Sequence, residues 1–185
     1  MSDGSAKFGR ATSRSEVYSV EELVALAKSG RLRLPRFQRS FVWTESDVRL
    51  LFDSIYRGFP IGTLLLWRRP APDEVVSFGP IAVQAPDMTD SLAIVDGQQR
   101  ITALVATLLW PASGTGAHDR RFEVYFDLQS GDFVGPKRGA SPNRYVPLRS
   151  VFDLPGVLRW SRAHDLDDTT AEKVDSLSAA LRGYK

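Results

Sequence analysis

The chain has 185 residues, of which 43% are hydrophobic and 25% are charged, and its formal net charge is +2. These values are typical of one globular domain with its own core, and the small net charge excludes a chain that binds nucleic acid through its overall charge. A basic surface of this chain that binds a partner would therefore be confined to one part of the protein. The absence of cysteine excludes disulfides, cysteine-ligated zinc and a thiol nucleophile, and it favours a cytoplasmic protein.

Several other signals are missing from the sequence. No apolar run approaches the roughly 20 residues that span a bilayer, and no signal-peptide pattern is present, so no membrane association is expected. There is no Walker A phosphate-binding loop, and His118 and His164 stand in separate polar stretches without an HNH-type pattern. The sequence therefore predicts neither a P-loop enzyme nor nuclease activity in this chain.

The N-terminal part of the chain predicts a tail, a helix and a strand. Residues 1–15 are rich in small and basic types and predict a flexible tail. Ser19 and Glu22 form a capping-box pattern ahead of an apolar helical stripe, and Gly30 stands where a C′ residue is expected. A short strand over residues 31–34 should follow.

The next stretch, residues 35–43, interleaves arginine and glutamine with aromatic side chains. One interpretation is a surface loop that is pinned by Phe37, Phe41 and Trp43 while its arginines stay in water. Aromatic side chains in such loops are more often packing anchors than ligand contacts. This interpretation assigns the loop no function.

The sequence between residues 44 and 90 predicts a helix and a strand. Thr44 and Asp47 give a second capping-box pattern, with apolar residues at helical spacing behind it. The apolar run 63–67 has strand length and predicts a central strand that is buried on both faces. Residues 70–90 contain four prolines and predict a peripheral excursion with at most one strand, near residues 75–78.

Residues 92–109 carry the strongest local signal. An apolar strand is predicted to end at Asp96, the chain turns at Gly97, and a helix begins at Gln98. The first turn of a helix carries partial positive charge, glycine allows a close approach, and glutamine and arginine side chains donate hydrogen bonds to oxygens. This set predicts an anion site. The alternative is structural: Asp96 caps the helix, and the glutamines and Arg100 are ordinary residues of a helix start.

The remainder of the chain predicts a hairpin, a basic loop and a helical end. Residues 121–134 alternate with period two around a turn, and this hairpin carries the carboxylates of Asp127 and Asp132. Residues 135–144 predict a flexible basic loop, either solvated or in contact with nucleic acid. Residues 154–185 predict the start of a helical C-terminal extension, so the chain is expected to be a fragment or a short version of a longer protein.

Residues 94–104 contain the sequence Asp-Gly-Gln-Gln-Arg, which resembles the DGQQR signature of a bacterial domain family. That family forms the N-terminal part of GmrSD-type modification-dependent restriction enzymes and of related phage-defence proteins. Further stretches fit the family pattern in the same order along the chain: 34–43, 52–62, 126–133 and 146–148. The resemblance covers about residues 17–152 and implies a core domain over residues 16–153. The implied fold is α/β (α+β), a ParB/sulfiredoxin-like mixed sheet with flanking helices.

The resemblance also implies that a nucleoside triphosphate binds, and is often hydrolysed, at the DGQQR turn. The implied nucleotide-binding residues come from this turn and from the preceding basic loop: Gly97, Gln98, Gln99, Arg100, Gln38 and Arg39. Arg100 and Arg39 would offset phosphate charge. Asp96 is expected to coordinate Mg²⁺ or to activate water, since a carboxylate repels phosphate oxygens. Asp96 and Arg100 are therefore the expected catalytic residues.

Three functions stay open at this stage. The first is a Mg²⁺-dependent NTPase domain of a DNA-targeting defence protein, with DNA reached by the full-length protein or by a partner nuclease domain. The second is a non-catalytic module that binds a nucleotide or a DNA phosphate, and the third is a structural partner domain without a ligand. We rank them in that order. The sequence leaves open the choice among ATP, GTP and CTP, the contribution of Asp127 or Asp132, and whether the chain forms a homo-oligomer.

Overall fold

The structure is a computed structural model that describes residues 13–35, 40–109, 119–137, 143–152, 154–164 and 166–185. Most of the predicted tail, the loop residues Gln38 and Arg39, and the predicted end of the DGQQR helix near residue 110 lie outside these ranges.

The described residues form helices and small strands in a mixed α+β order, as predicted. The helices are α1 (Val20–Lys28), α2 (Glu45–Tyr56), α3 (Gln98–Leu108), α4 (Leu148–Val151), α5 (Leu154–His164) and α6 (Asp168–Gly183). The strands are β1 (Leu32–Arg33), β2 (Leu65–Ala71), β3 (Glu74–Phe78), β4 (Ile81–Ala85), β5 (Met88–Asp96), β6 (Tyr125–Asp127), β7 (Phe133–Val134) and β8 (Tyr145–Pro147).

Both predicted capping boxes are present. The backbone N–H of Glu22 donates to Ser19 Oγ at 3.1 Å, and the Glu22 carboxylate accepts the Ser19 N–H at 2.6 Å. Thr44 and Asp47 make the same reciprocal pair ahead of α2. These hydrogen bonds lower the pKa of the Glu22 and Asp47 carboxyl groups, since they favour the charged form. Gly30 follows the C-cap of α1 with a φ of 69°, as a C′ glycine should.

The principal sheet has the order β1-β5-β2, and it is mixed because β1 runs parallel and β2 antiparallel to β5. The prediction that residues 63–67 form a central strand was wrong. β2 lies at the edge of the sheet, where Leu65 and Trp67 are 58% and 60% exposed. The central position belongs to β5, which pairs on both sides. Pro70 is tolerated in β2 because an edge strand has one unpaired side, and the register shifts beside it.

Residues 74–85 form a β-hairpin, so the expectation of at most one strand in this region was also wrong. β3 and β4 pair in antiparallel register from Glu74–Ala85 to Phe78–Ile81. Three side chains of the hairpin are buried against residues of β5 and α3: Val76, Phe78 and Ala85. Pro72, Pro80 and Pro86 flank the two strands of the hairpin and do not interrupt them. The hairpin therefore belongs to the core, although its sequence is typical of a peripheral loop.

The third sheet has the order β7-β6-β8 and contains the predicted hairpin. Phe122, Val124 and Phe126 are buried, as the period-two pattern predicts, but Phe122 packs in a separate cluster with Ala106. The strand begins only at Tyr125, because residues 120–122 form a 3₁₀ turn.

The C-terminal helices pack on the same hydrophobic cluster as α2. Val174, Leu177 and Leu181 of α6 are fully buried, which confirms the predicted apolar stripe, and Val157 and Trp160 of α5 join them. The separation of a core domain at residue 153 from an extension stays a prediction. In the part of the chain that the structure describes, no helix combines the length and the apolar character needed to cross a membrane.

Candidate functional site

The DGQQR turn joins the end of the central strand to the start of α3. Asp96 is the last residue of β5, Gly97 is the N-cap, and the first bond within the helix runs from Ile101 N–H to Gly97 O at 3.0 Å. Because the N-cap is a glycine, it supplies no side chain for a capping hydrogen bond. The structural alternative, in which Asp96 caps the helix, is therefore wrong. Asp96 lies one residue before the cap, and its side chain is 74% exposed.

Gly97 is required at the turn for two reasons. Its φ of 92° lies in the left-handed region, where an L side chain costs about 1–2 kcal/mol. An added Cβ atom would also collide with the side chain of Leu64, which lies just before β2. The chain between α2 and β2 thus packs directly onto the turn.

Arg100 folds back beside the turn and is held by the loop that follows α2. Its Nη1 donates to the Ile61 carbonyl at 2.8 Å, and Nη2 lies 3.6 Å from Asp96 Oδ2. The Arg100 side chain is 17% exposed. Gly62, at a φ of 85°, leaves room for it, because an added Cβ atom there would lie 2.8 Å from Nη1. The guanidinium is therefore placed by its neighbours and does not extend freely into solvent.

Gln99 binds the backbone of the segment 40–43. Its Oε1 accepts the N–H groups of Val42 at 2.9 Å and Trp43 at 3.3 Å, and its Nε2 donates to Ser40 O at 3.3 Å. The side-chain amide thus fixes the residues that directly follow Arg39 in the chain. A ligand contact by Gln99 stays a prediction, as do those of Gln98, Gln38 and Arg39.

Arg121 also binds the segment 40–43, and the sequence analysis does not predict this role. Its Nη1 donates to Phe41 O at 3.3 Å, and its guanidinium lies 5.0 Å from the centre of the Phe41 ring. Asp119 accepts two further N–H groups of Arg121, from Nε at 2.9 Å and from Nη2 at 2.6 Å. These hydrogen bonds hold the pKa of the Asp119 carboxyl below its usual value. No local pattern could have found Arg121, since it lies 80 residues from Phe41 in sequence.

The hairpin carboxylates do not gather into a metal site with other acidic groups. Asp127 is 2% exposed, and its two oxygens accept Arg144 Nε at 2.9 Å and Nη2 at 2.7 Å. These hydrogen bonds outweigh the effect of burial and lower the pKa of Asp127 to about 2. Among the described residues, no three His, Cys, Asp or Glu side chains are arranged to hold a metal ion.

Residues 20–155 match the family model described as GmrSD restriction endonuclease, N-terminal domain. The chain belongs to this family. The uncharacterized protein MJ0686 of Methanocaldococcus jannaschii is 35% identical over 115 residues, which cover 58% of this chain and 20% of the relative. The chain thus corresponds to about a fifth of the length of that relative.

The matched part of this GmrSD N-terminal domain contains the turn, the segments that Gln99 and Arg100 hold, and Arg121 with Asp119. The predicted family is confirmed. Helix α6 lies beyond the matched residues, although it packs on the same core as α2.

Proposed function

We propose that the Gly97 turn binds the phosphate groups of a nucleoside triphosphate and that the domain hydrolyses the nucleotide with Mg²⁺. The observation that carries this proposal is the start of α3, where the N-cap is Gly97 and the Arg100 guanidinium lies beside it. A helix start of this kind offers backbone N–H groups and partial positive charge to an anion. An arginine at the same place adds a permanent charge.

Arg100 fits the role of a phosphate ligand. Its guanidinium has five N–H donors, and the Ile61 carbonyl accepts from Nη1, so further donors belong to the same rigid plane. Nη2 lies 3.4 Å from the place of a Cβ atom on Gly97, which puts the charge next to the first turn of the helix. Because the side chain is held by Ile61, little conformational entropy is lost when it binds an oxyanion.

Asp96 fits the role of a Mg²⁺ ligand or of a group that orients water. Its carboxylate is exposed at the same turn, and its ion pair with Arg100 is long at 3.6 Å. Mg²⁺ commonly binds through one or two carboxylates together with phosphate oxygens and water. When bound, the ion would neutralise phosphate charge. The protein would then contribute an acceptor for the attacking water at Asp96 and a fixed cation at Arg100.

The contacts of the segment 40–43 support the proposal that the preceding residues, Gln38 and Arg39, bind the nucleotide. Ser40, which follows Arg39 in the chain, is bound to Gln99 at the second position of α3. We propose that Gln38 and Arg39 contact the nucleotide together with Gln98. Gln99 and Arg121 hold the backbone of residues 40–43, which directly follow Arg39.

DNA is part of the proposal because the description of the family names a restriction endonuclease. We propose that nucleotide binding at this domain regulates a restriction protein that acts on DNA in phage defence. The proposed regulation belongs to the whole protein, and the DNA contact is not assigned to a residue of this chain.

Isothermal titration calorimetry with ATP, GTP and CTP, each with and without Mg²⁺, tests the binding step. We expect saturable binding of one triphosphate, weakened about 10- to 100-fold in Arg100→Ala through loss of a charge-assisted contact. The control is Arg162→Ala, which removes the same charge from the exposed surface of α5. Equal binding by wild type and Arg100→Ala, or no binding by the wild type, would overturn the proposal.

Phosphate release measured with the same triphosphate tests the hydrolysis step. Release that requires Mg²⁺ and disappears in Asp96→Ala supports an NTPase. Tight binding without any release refutes hydrolysis by this domain and leaves the binding module.

A further inference from the structure

Ile61 connects the candidate site to the end of α6. Its carbonyl accepts Arg100 Nη1 at 2.8 Å, while its N–H donates to the hydroxyl of Tyr184 at 3.0 Å. The same hydroxyl donates to Phe59 O at 2.7 Å. One tyrosine oxygen thus binds both ends of the turn 59–61, whose last carbonyl orients Arg100.

Tyr184 is itself fixed at its backbone. Its carbonyl accepts the N–H of Val20, the first residue of α1, at 3.0 Å. Its ring packs against the main hydrophobic cluster, to which α6 contributes Leu177 and Leu181. The hydroxyl therefore belongs to a residue that is anchored both by its backbone and by its ring.

Glycines in the left-handed region flank the turn. Gly58 has a φ of 72° and Gly62 a φ of 85°. Pro60 fixes its own φ, but the flanking glycines allow many backbone conformations, so the turn can change its orientation as a unit. The Phe59 side chain is 57% exposed, while its N–H donates to Ser54 O at 2.8 Å. The two hydrogen bonds of Tyr184 restrain the turn in addition to this bond and to the packing of the Ile61 side chain on the main cluster.

We propose that Tyr184 is a positioning residue for Arg100, an inference that rests on the proposed phosphate-binding function. With the hydroxyl in place, the Ile61 carbonyl holds the guanidinium beside Gly97. Without it, the turn 59–61 relaxes and Arg100 moves toward the exposed carboxylate of Asp96, now 3.6 Å away. Because α6 lies outside the matched residues 20–155, the contact links a segment beyond the family domain to its DGQQR turn.

The test uses Tyr184→Phe, which removes the hydroxyl and keeps the ring. Tyr18→Phe is the matched control, because the Tyr18 hydroxyl donates to Glu16 on the exposed surface. Nuclear magnetic resonance of the Arg100 side-chain N–H groups, recorded without nucleotide, should show shifted or broadened Nε–H signals in Tyr184→Phe alone. Unchanged Arg100 signals would overturn the positioning role, whether or not a nucleotide binds.

Nucleotide affinity gives the second measurement. We expect Tyr184→Phe to weaken binding of the Mg²⁺–triphosphate preferred by the wild type about three- to tenfold, because the bond between Arg100 and the Ile61 carbonyl is weakened. The loss should vanish in an Arg100→Ala background, whereas a merely structural role of Tyr184 would persist there. An affinity unchanged by Tyr184→Phe, or the same loss in both backgrounds, refutes the positioning role. If the wild type binds no triphosphate, the proposed function fails. The nuclear magnetic resonance signals of Arg100 then remain as the test of whether Tyr184 positions Arg100.

Discussion

A methyl group of Leu64 fills the space that a Cβ atom on Gly97 would occupy. This contact packs the residue before the edge strand β2 onto the turn between the central strand and α3. It explains why the turn depends on glycine through its surroundings as well as through its backbone conformation. The same relationship gives the first prediction.

Gly97→Ala should lower the free energy of unfolding by about 2–4 kcal/mol, the sum of left-handed strain and a steric clash. Gly131→Ala is the control, since Gly131 has a φ of 77° and nothing within 4 Å of an added Cβ atom. That variant should lose only about 1 kcal/mol. Urea unfolding measures both, and equal losses would contradict the role assigned to Leu64.

Gly62→Ala tests the space around Arg100. The new methyl group would lie 2.8 Å from Nη1, so the guanidinium must leave the Ile61 carbonyl. We expect triphosphate binding to weaken about tenfold, comparable to a lost charge-assisted hydrogen bond. Gly131→Ala introduces a similar backbone strain at a residue that is distant in sequence from Gly62, and it should keep the wild-type affinity. The idea fails if both variants bind equally well in calorimetry.

Asp96→Asn separates the repulsion of phosphate from the binding of Mg²⁺. Without Mg²⁺, the variant should bind triphosphate about two- to fivefold more tightly, because a negative charge at the turn is gone. With Mg²⁺, this gain should disappear, and phosphate release should fall about 100-fold or more. Asp73→Asn, which changes an exposed carboxylate between β2 and β3, is the control. Wild-type phosphate release by Asp96→Asn would remove Asp96 from catalysis.

The Asp127–Arg144 pair predicts a specific pH dependence of stability. The folded pKa of Asp127, about 2, lies below the usual value of 3.8, so its contribution is complete above about pH 4 and is lost as the pH falls toward 2. The shift corresponds to about 2 kcal/mol. The stability difference between wild type and Asp127→Asn should therefore shrink over this range in urea unfolding. A difference that stays constant between pH 5 and pH 3 would show that the charge of Asp127 contributes nothing.

Gln99→Glu tests the attachment of the segment 40–43. Glutamate keeps the acceptor for Val42 and Trp43 but replaces the donor to the Ser40 carbonyl with a second oxygen. Amide hydrogen exchange at Val42 and Trp43 should become about 5- to 10-fold faster, as expected for roughly 1 kcal/mol of lost restraint. Gln84→Glu, on the exposed face of β4, should leave these amides unchanged. Wild-type exchange in Gln99→Glu would mean that the hydrogen bond to the Ser40 carbonyl does not restrain the segment.

The sequence by itself determined the local elements of this domain. The local sequence predicts the capping boxes at Ser19 and Thr44, the strand–glycine–helix unit around Gly97, and the buried stripe of α6. Each depends on residues a few positions apart, whose hydrogen bonds and spacing are fixed by the geometry of one helix or strand. The DGQQR resemblance, carried by a contiguous motif, was likewise sufficient to indicate the family.

Only the tertiary structure decided which partners meet at the turn. Arg100 and Ile61 are 39 residues apart, and Tyr184, which binds the turn 59–61, is 123 residues from Ile61. The edge position of β2 and the burial of the β3–β4 hairpin were also missed. An apolar run shows that a strand is buried somewhere, but pairing, packing and desolvation across the whole chain determine which strand becomes central and which side chains hold the site.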